Sequence, residues 1–249
     1  MKVLLLTVAG TSTRFGKSLG RECLKCIYNE KGFDESLLGN MVRKDASFDK
    51  IVIVGGYKFQ ELKDAVENHF SDLKDKIVLI NNEHYFDYGS GYSLYEGLKY
   101  LVGTDFDEIV FAEGDLWVDD ESFFKVSSSN KDVITFNRDT IDAKKSVVLY
   151  FDTQNKVHYL YDTAHSYLEI DRPFLSIYNS GQIWKFSDSD RVRKSFDGID
   201  EKTWRGTNLV FIQKYFGERD KDEYEMAQFN TWLNCNTVED FRKIAEVKK

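Results

Sequence analysis

Val3-Leu4-Leu5-Leu6-Thr7-Val8, running directly into Ala9-Gly10-Thr11-Ser12-Thr13-Arg14-Phe15-Gly16-Lys17, is the stretch on which the reading of this chain turns. An apolar run of this length predicts a buried strand. The Gly-Thr-Ser-Thr stretch behind it offers backbone N–H groups and hydroxyls, and Arg14 and Lys17 add positive charge, a combination suited to a polyphosphate. Neither a GxGxxG nor a GxxxxGK[ST] pattern follows the strand, which speaks against a dinucleotide fold and against a P-loop hydrolase.

Strand and helix signals alternate from there. Strands are expected at Val3–Val8, Ile51–Val54, Ile77–Ile80 and Glu108–Phe111, with helices around Leu37–Lys44, Phe59–Phe70 and Ser93–Leu101 between them. That alternation predicts an α/β fold, a three-layer, mostly parallel sheet with right-handed crossovers and helices on both faces. Ligands in such sheets lie beyond the carboxyl ends of the strands. Four loops, Ala9–Lys17, Gly55–Tyr57, Asn81–Ser90 and Glu113–Trp117, are therefore expected to converge on one crevice.

From about Asp132 the pattern becomes shorter and β-like, at Val133–Asn137, Val147–Phe151, Val157–Tyr161 and Phe174–Trp184, predicting a smaller antiparallel subdomain. Helices are expected over Asp188–Phe196 and Val238–Lys248, and Ser127–Asn130 reads as a loose connector. The chain is read as one domain: a core over 1–131, the antiparallel part over 132–231 and a return to the core over 232–249.

Composition narrows the function. A length of 249 residues gives volume for a sizeable core, and 15% aromatic residues suggest a ring-lined core and pocket. With 34 basic against 42 acidic residues the net charge is −8, and no basic run appears, so a nucleic-acid surface has no support and the expected partner is small. No segment approaches the ~20 apolar residues of a membrane span, and residues 1–8 are too short for a secretory signal; a cytoplasmic protein without membrane association is expected. Cys23, Cys26 and Cys235 are read as structural thiols, because no second pair or histidine cluster completes a zinc site.

Glu113-Gly114-Asp115 closes an apolar strand, putting Asp115 at a strand tip with little room around it. Magnesium is usually held by one or two protein carboxylates together with phosphates and water, so Asp115 is the metal candidate. Asn81-Asn82-Glu83-His84-Tyr85-Phe86-Asp87-Tyr88-Gly89-Ser90-Gly91-Tyr92-Ser93-Leu94-Tyr95 is a loop of amides, rings and glycines leading into a helix. Toward the C-terminus, in Trp232-Leu233-Asn234-Cys235-Asn236-Thr237-Val238-Glu239-Asp240-Phe241, Thr237 reads as a helix N-cap answered by Asp240.

Ala-Gly-x-x-x-Arg-Phe at the N-terminus resembles the triphosphate loop of nucleotidyltransferases with a GT-A-like (MobA-like NTP transferase) fold. The Asn-x-x-Tyr stretch and Tyr-Ser-Leu-Tyr helix start resemble the base-recognition loop of bacterial choline-phosphate cytidylyltransferases. The resemblance spans essentially the whole chain. It implies that Ala9, Gly10, Thr11, Ser12, Thr13 and Arg14 hold the phosphates, that Gly89 and Gly91 admit the ring, and that Ser90 and Ser93 meet base or ribose. Tyr88 and Tyr92 are either base contacts or packing rings.

Lys25 stands where the family has a Pro-Lys pair, without the proline, and is implied to steady charge on the α-phosphate; Arg14 and Lys17 would clamp the β- and γ-phosphates. Relatives complete the metal site with an acidic residue where this chain has Asn234 and Asn236, so Mg²⁺ is expected on Asp115 and Asn236. The Asn-x-Asn-Thr version also resembles the molybdenum-cofactor guanylyltransferase-like branch, which leaves the base open. Asn179-Ser180-Gly181-Gln182 looks like the family's acceptor turn. Glu169, Asp171, Tyr159, Tyr161, Tyr167 and Trp184 are a candidate cage for a cationic head group.

The expected activity is transfer of a nucleotidyl group, cytidylyl first, from an NTP to a phosphorylated small molecule such as phosphocholine. Pyrophosphate is released, and the product would serve cell-surface polysaccharide. Lys25, Arg14 and Asp115 are the expected catalytic groups, and Asn179, Gly181, Glu169 and Tyr159 the expected acceptor contacts. A sugar-1-phosphate nucleotidyltransferase, a GT-A glycosyltransferase and a nucleotide-binding regulatory domain without catalysis stay open as alternatives.

Overall fold

The structure, a computed structural model, describes residues 1–247. Strand β1 (Lys2–Thr7) lies in the interior of the main sheet, where the apolar side chains of Val3–Leu6 are buried on both faces. Val3 and Leu5 belong to one core, with Val52, Val54, Leu94 and Leu98. Leu4 and Leu6 belong to the other, with Ile51, Ile53, Leu62 and Val66. The period-two alternation of a strand thus builds both layers from one uninterrupted apolar run.

Parallel to β1 lie β2 (Lys50–Gly55), beyond it β3 (Ile77–Asn81), and on the other side β4 (Glu108–Glu113). The crossovers carry α1 (Thr13–Leu19), α2 (Leu37–Val42), α3 (Phe59–His69) and α4 (Ser90–Val102). Hydrogen bonds continue past the strand ends: Val8 N–H donates to Val54 O at 2.8 Å, Gly114 N–H to Thr7 O at 2.9 Å and Asn82 N–H to Gly55 O at 2.8 Å. They knit four carboxyl-end loops into one rim.

Past β4 come the short β5 (Leu116–Val118), α5 (Asp120–Ser128) and β6 (Asp132–Asn137), then β7 (Val148–Asp152), β8 (Val157–Leu160) and the long β9 (Phe174–Phe186). The chain continues through α6 (Ser189–Asp197), α7 (Glu201–Trp204), α8 (Leu209–Phe216), β10 (Tyr224–Gln228), β11 (Trp232–Asn234) and α9 (Val238–Val247). Strand order is β10-β6-β9-β4-β1-β2-β3, with β7 and β8 added antiparallel on the first half of β9. Strands β5 and β11 form a separate two-stranded antiparallel sheet. The mostly parallel α/β sheet with an antiparallel extension is as expected; β10 alone breaks the expected antiparallel second half, pairing parallel with β6.

Two local readings are corrected. Ser127–Asn130 is no loose connector: Ser127 and Ser128 are the last residues of α5, and their hydroxyls donate back to Phe124 O. The buried Lys185 ammonium also clamps the Ser127 and Ser129 carbonyls while pairing with Glu108 at 2.8 Å. Asn179–Gln182 is not a turn after a strand; it lies inside β9, where the pairing with β6 slips in register and Gln182 takes a left-handed φ of 54°. From Ile134↔Trp184 to Phe136↔Ser180 the slip inserts two extra residues on β9 without ending the strand, so its polar sequence imitates a turn.

Candidate functional site: the carboxyl rim of the parallel strands

Asp115 hangs from the tip of β4 in a space only a glycine-preceded residue can reach. A Cβ at Gly114 would collide with Val8 Cγ1 and stand 2.7 Å from Thr7 O, so the loop presses flat against β1. The Cys235 N–H donates to Asp115 O at 2.8 Å and ties the tip to the C-terminal return. One carboxylate oxygen, Oδ2, accepts from Lys25 Nζ at 3.2 Å. The other, Oδ1, is buried without a partner. Leaving such an oxygen unpaired costs about 1–3 kcal/mol or more.

Lys25 is delivered from the opposite loop. Ser12 takes a left-handed backbone at φ 54° and its Oγ accepts the Lys25 N–H at 3.1 Å, which ties the lysine turn to the first loop. A cavity of about 240 Å³ brings together Ala9, Gly10, Ser12, Lys25, Ser90, Ser93 and Asp115. An adjoining opening of about 270 Å³ is bordered by Thr11, Thr13, Arg14 and Asn236, together with Gly10, Ser12, Lys25 and Asp115. Arg14 is exposed and makes no salt bridge among the described residues. Lys17, also exposed, borders a neighbouring groove on the other side of the Thr11–Thr13 loop, with Arg21 and Tyr57, and does not line the cavities around Asp115.

On the far side of the cavity, Ser93 Oγ accepts from the buried Asn82 Nδ2 at 2.9 Å, and Asn82 Oδ1 accepts the His84 N–H at 2.9 Å. Gly89, also in the cavity lining, has a packing role, as has Gly91 behind it. A Cβ at either would meet the backbone of residues 204–207, and both N–H groups donate to it, Gly89 to Arg205 O at 2.8 Å and Gly91 to Gly206 O at 2.9 Å. The glycines dock the start of α4 on the α7–α8 loop. Tyr88 stacks on His84 with ring centroids 4.5 Å apart and carries the Arg205 guanidinium over its face; Tyr92 packs edge-on against it.

Glu113 and Asn208 take roles here that their sequence context does not announce. Glu113 reaches into the same space, where burial, reinforced by the negative charge of Asp115, pushes its carboxyl well above the ordinary range. Its Oε1 accepts from Asn208 Nδ2 at 2.8 Å, and the Asn208 N–H donates to Ser90 Oγ at 3.2 Å. Asn208, 2% exposed, thus links the strand tip to the start of α4 from a distant part of the chain. Gln182, which the sequence offers only as the last residue of an acceptor turn, is 4% exposed and without a side-chain hydrogen bond among the described residues. Its left-handed backbone costs on the order of 1–3 kcal/mol.

The expected acceptor residues scatter. Asn179 is 5% exposed and borders an outer cavity of about 380 Å³ shared with Arg14, Asn234 and Asn236. Gly181 is packed under the Phe229 ring and gives its carbonyl to Trp232 Nε1 at 2.9 Å. Glu169 is exposed on the loop before β9 and lines no cavity described here. The aromatic cage is not formed. Trp184 is fully buried and donates to the Tyr159 hydroxyl at 2.9 Å, while Tyr167 is 66% exposed; only Tyr161 of the four borders a cavity beside Asp115.

For a divalent cation the donor chemistry fits. The unpartnered Asp115 Oδ1, the adjacent Glu113 carboxylate and the amide of Asn236 are oxygen donors of the hard type magnesium takes, and they leave positions for phosphate and water. Asn236 itself is oriented by donating to Asn234 Oδ1 at 2.6 Å, and Asp240 accepts the Asn236 and Thr237 N–H groups in the capping arrangement expected there. All three cysteines are free. Burial pushes the Cys26 and Cys235 thiols up to about 12.

The profile of a family described only as a domain of unknown function, DUF6564, matches residues 21–248. The chain belongs to that family. No curated protein matches its sequence. Among solved structures, it is similar over its full length to the inositol-1-phosphate CTP transferase from T. maritima, with a TM-score of 0.66 at 16% identity and 97% of that chain covered. It is likewise similar to the CTP:phosphocholine cytidylyltransferase LicC from Streptococcus pneumoniae, with a TM-score of 0.66, 14% identity and 99% coverage of that chain. HddC from Yersinia pseudotuberculosis follows at a TM-score of 0.61 and 19% identity, with both chains fully covered. At such identities the likeness establishes the fold: this member of DUF6564 has the nucleotidyltransferase fold. No helix among its described residues is long and apolar enough to cross a membrane.

Proposed function

We propose that this protein is a magnesium-dependent nucleotidyltransferase, taking CTP as its first-choice donor and a small phosphorylated molecule as acceptor. One observation carries the reading: Asp115, with a buried oxygen unpartnered, shares its cavity with the Gly10–Arg14 loop and with Lys25. The names of the structural neighbours, two of them CTP-using transferases, support the choice of donor.

In this reading the triphosphate lies along the N–H groups and hydroxyls of residues 10–13 with Arg14 at its outer end. The base sits between Ser90, Ser93 and Tyr88. An oxygen of the acceptor phosphate attacks the α-phosphorus in line, a new P–O bond forms, and the α–β bridging bond breaks with its electron pair leaving on pyrophosphate. A phosphate oxygen is already nucleophilic near neutral pH, so positioning and charge neutralisation carry the catalysis and no general base is required. Lys25 stabilises the charge that grows on the α-phosphate. Mg²⁺, held by Asp115 with Glu113 and Asn236 beside it, would supply neutralisation of the phosphate charges.

Pyrophosphate release from each of the four NTPs, with and without Mg²⁺ and a panel of phosphorylated acceptors, tests the proposal. Acceptor-dependent release from CTP with Mg²⁺ is expected. Mg²⁺-dependent NTP binding without turnover against every acceptor would instead indicate a binding module.

A further inference from the structure

Past Asp115 the rim opens into a polar cavity of about 160 Å³ that includes Tyr161, His165, Lys145 and Gln182, and this adjoins the outer cavity bordered by Asn179. Two side-chain amides stand there in an unusual condition. Gln182 is 96% buried and Asn179 95% buried, neither side chain has a hydrogen-bond partner among the described residues, and Asn179 Oδ1 is fully sealed from solvent. Buried amides are ordinarily paired, because each carries two donors and an acceptor that lose their water on folding. Gln182 is moreover held in place by a left-handed backbone whose N–H donates to Ser180 Oγ at 3.1 Å. A bulge in the middle of a long strand that fixes an unpaired amide against a cavity is a recognition device in want of hydroxyl groups.

We propose that the acceptor is a polyhydroxylated phosphate monoester, a polyol or sugar phosphate, whose hydroxyls are read by Gln182 and Asn179 and whose phosphate faces Lys145. The proposal rests on the nucleotidyltransferase reading and specifies its acceptor. A quaternary ammonium head group fits poorly by the same observations. Its quaternary ammonium end has no donor or acceptor to offer the two amides, and the rings at hand are dispersed, Tyr161 and His165 in the cavity next to Asp115 and Trp232 in the outer one, rather than gathered as a cage. Charge points the same way: Arg14, Lys145 and Lys243 border the outer cavity against Asp139 and Asp240, and Asp240 is engaged by the backbone of 236–237.

The test is steady-state pyrophosphate release with Mg·CTP and myo-inositol 1-phosphate, glucose 1-phosphate or phosphocholine, on the wild-type chain and on Gln182→Leu. At least one polyol phosphate is expected to exceed phosphocholine in kcat/KM by roughly tenfold or more, since a polar site rejects what leaves its groups unpaired. Gln182→Leu is expected to raise the KM of that acceptor about tenfold, the worth of one hydrogen bond, and to leave the KM for CTP unchanged. Gln182→Gly, which relaxes the backbone but also lacks the amide, should show the same acceptor loss with undiminished thermal stability, separating recognition from folding. If Mg·CTP raises the melting temperature yet phosphocholine is preferred, or neither polyol phosphate reacts, or both variants match the wild type, the acceptor assignment alone is overturned. If none of the four NTPs binds or reacts with Mg²⁺, the nucleotidyltransferase reading fails and takes this inference with it.

Discussion

At the scale of single residues, the site turns on Asp115, whose two oxygens have different fates: one paired with Lys25, one free in the cavity. Asp115→Ala is expected to lower turnover by about a thousandfold, as loss of a main electrostatic stabiliser does, with unchanged thermal unfolding. Lys25→Ala should lower kcat about 10²–10³-fold with little change in the KM for CTP, because its contribution grows as the α-phosphate gains charge. Steady-state kinetics on both variants separates the two roles. Asp115 was legible in the sequence because an apolar run ending in Glu-Gly-Asp leaves a carboxylate only one place to go. Gln182 and Asn208 were not: one acquires its meaning from a register slip, the other from a contact with a strand tip 95 positions away. The thiols supply a further residue-scale test. Burial raises Cys26 and Cys235 to about 12, above the ~8.5 of an unfolded thiol, so the folded state keeps protons that the unfolded state loses. Their contribution to stability should therefore be constant below about pH 8.5 and decline as the pH rises toward 12. Equilibrium denaturation between pH 8 and pH 11 measures it, alongside slow reaction of the native thiols with Ellman's reagent at pH 8.

At the scale of elements, the rim is assembled from strand ends that local pattern announces and from docking contacts that it does not. The four central strands and α3, α4 and α9 follow from apolar period, with the Thr237 cap in addition for α9, and they appear close to where the pattern puts them. Strands β5 and β11 are only three residues each and exist because they pair with one another across the chain, so no local window shows them. The same holds for α7 and α8, whose connecting loop is shaped to receive Gly89 and Gly91. A Cβ at Gly89 would strike Gly206 O, and that backbone cannot yield without moving Trp204, which is 1% exposed. Gly89→Ala is therefore expected to cost about 1–3 kcal/mol of stability and to raise the KM for CTP. Thermal melting and initial-rate kinetics together check this, and unaltered values in both would remove the docking contact from the account.

At the scale of the whole molecule, residues from the first loop, β4, α4, the α7–α8 loop and the C-terminal return converge on one space. The return is secured by a third apolar cluster in which Phe15, Trp117, Cys235 and Phe241 join α1 to α9. Tyr28 bridges them edge-on, with ring centroids 5.1 Å from Phe15 and 5.0 Å from Phe241. Packing of this kind holds the N-terminal loop and Asn236 in fixed relation to Asp115, which a reaction catalysed by positioning requires. The central claim is that these parts grip a metal–triphosphate group at one rim. The measurement that addresses it most directly is a crystal structure with manganese and a non-hydrolysable CTP analogue, using the anomalous signal to place the metal. The account predicts a metal peak at coordination distance, about 2.1–2.2 Å, from Asp115 Oδ1, with the phosphates along residues 10–14. A nucleotide bound with its phosphates elsewhere, or a metal that leaves Asp115 untouched, would contradict it.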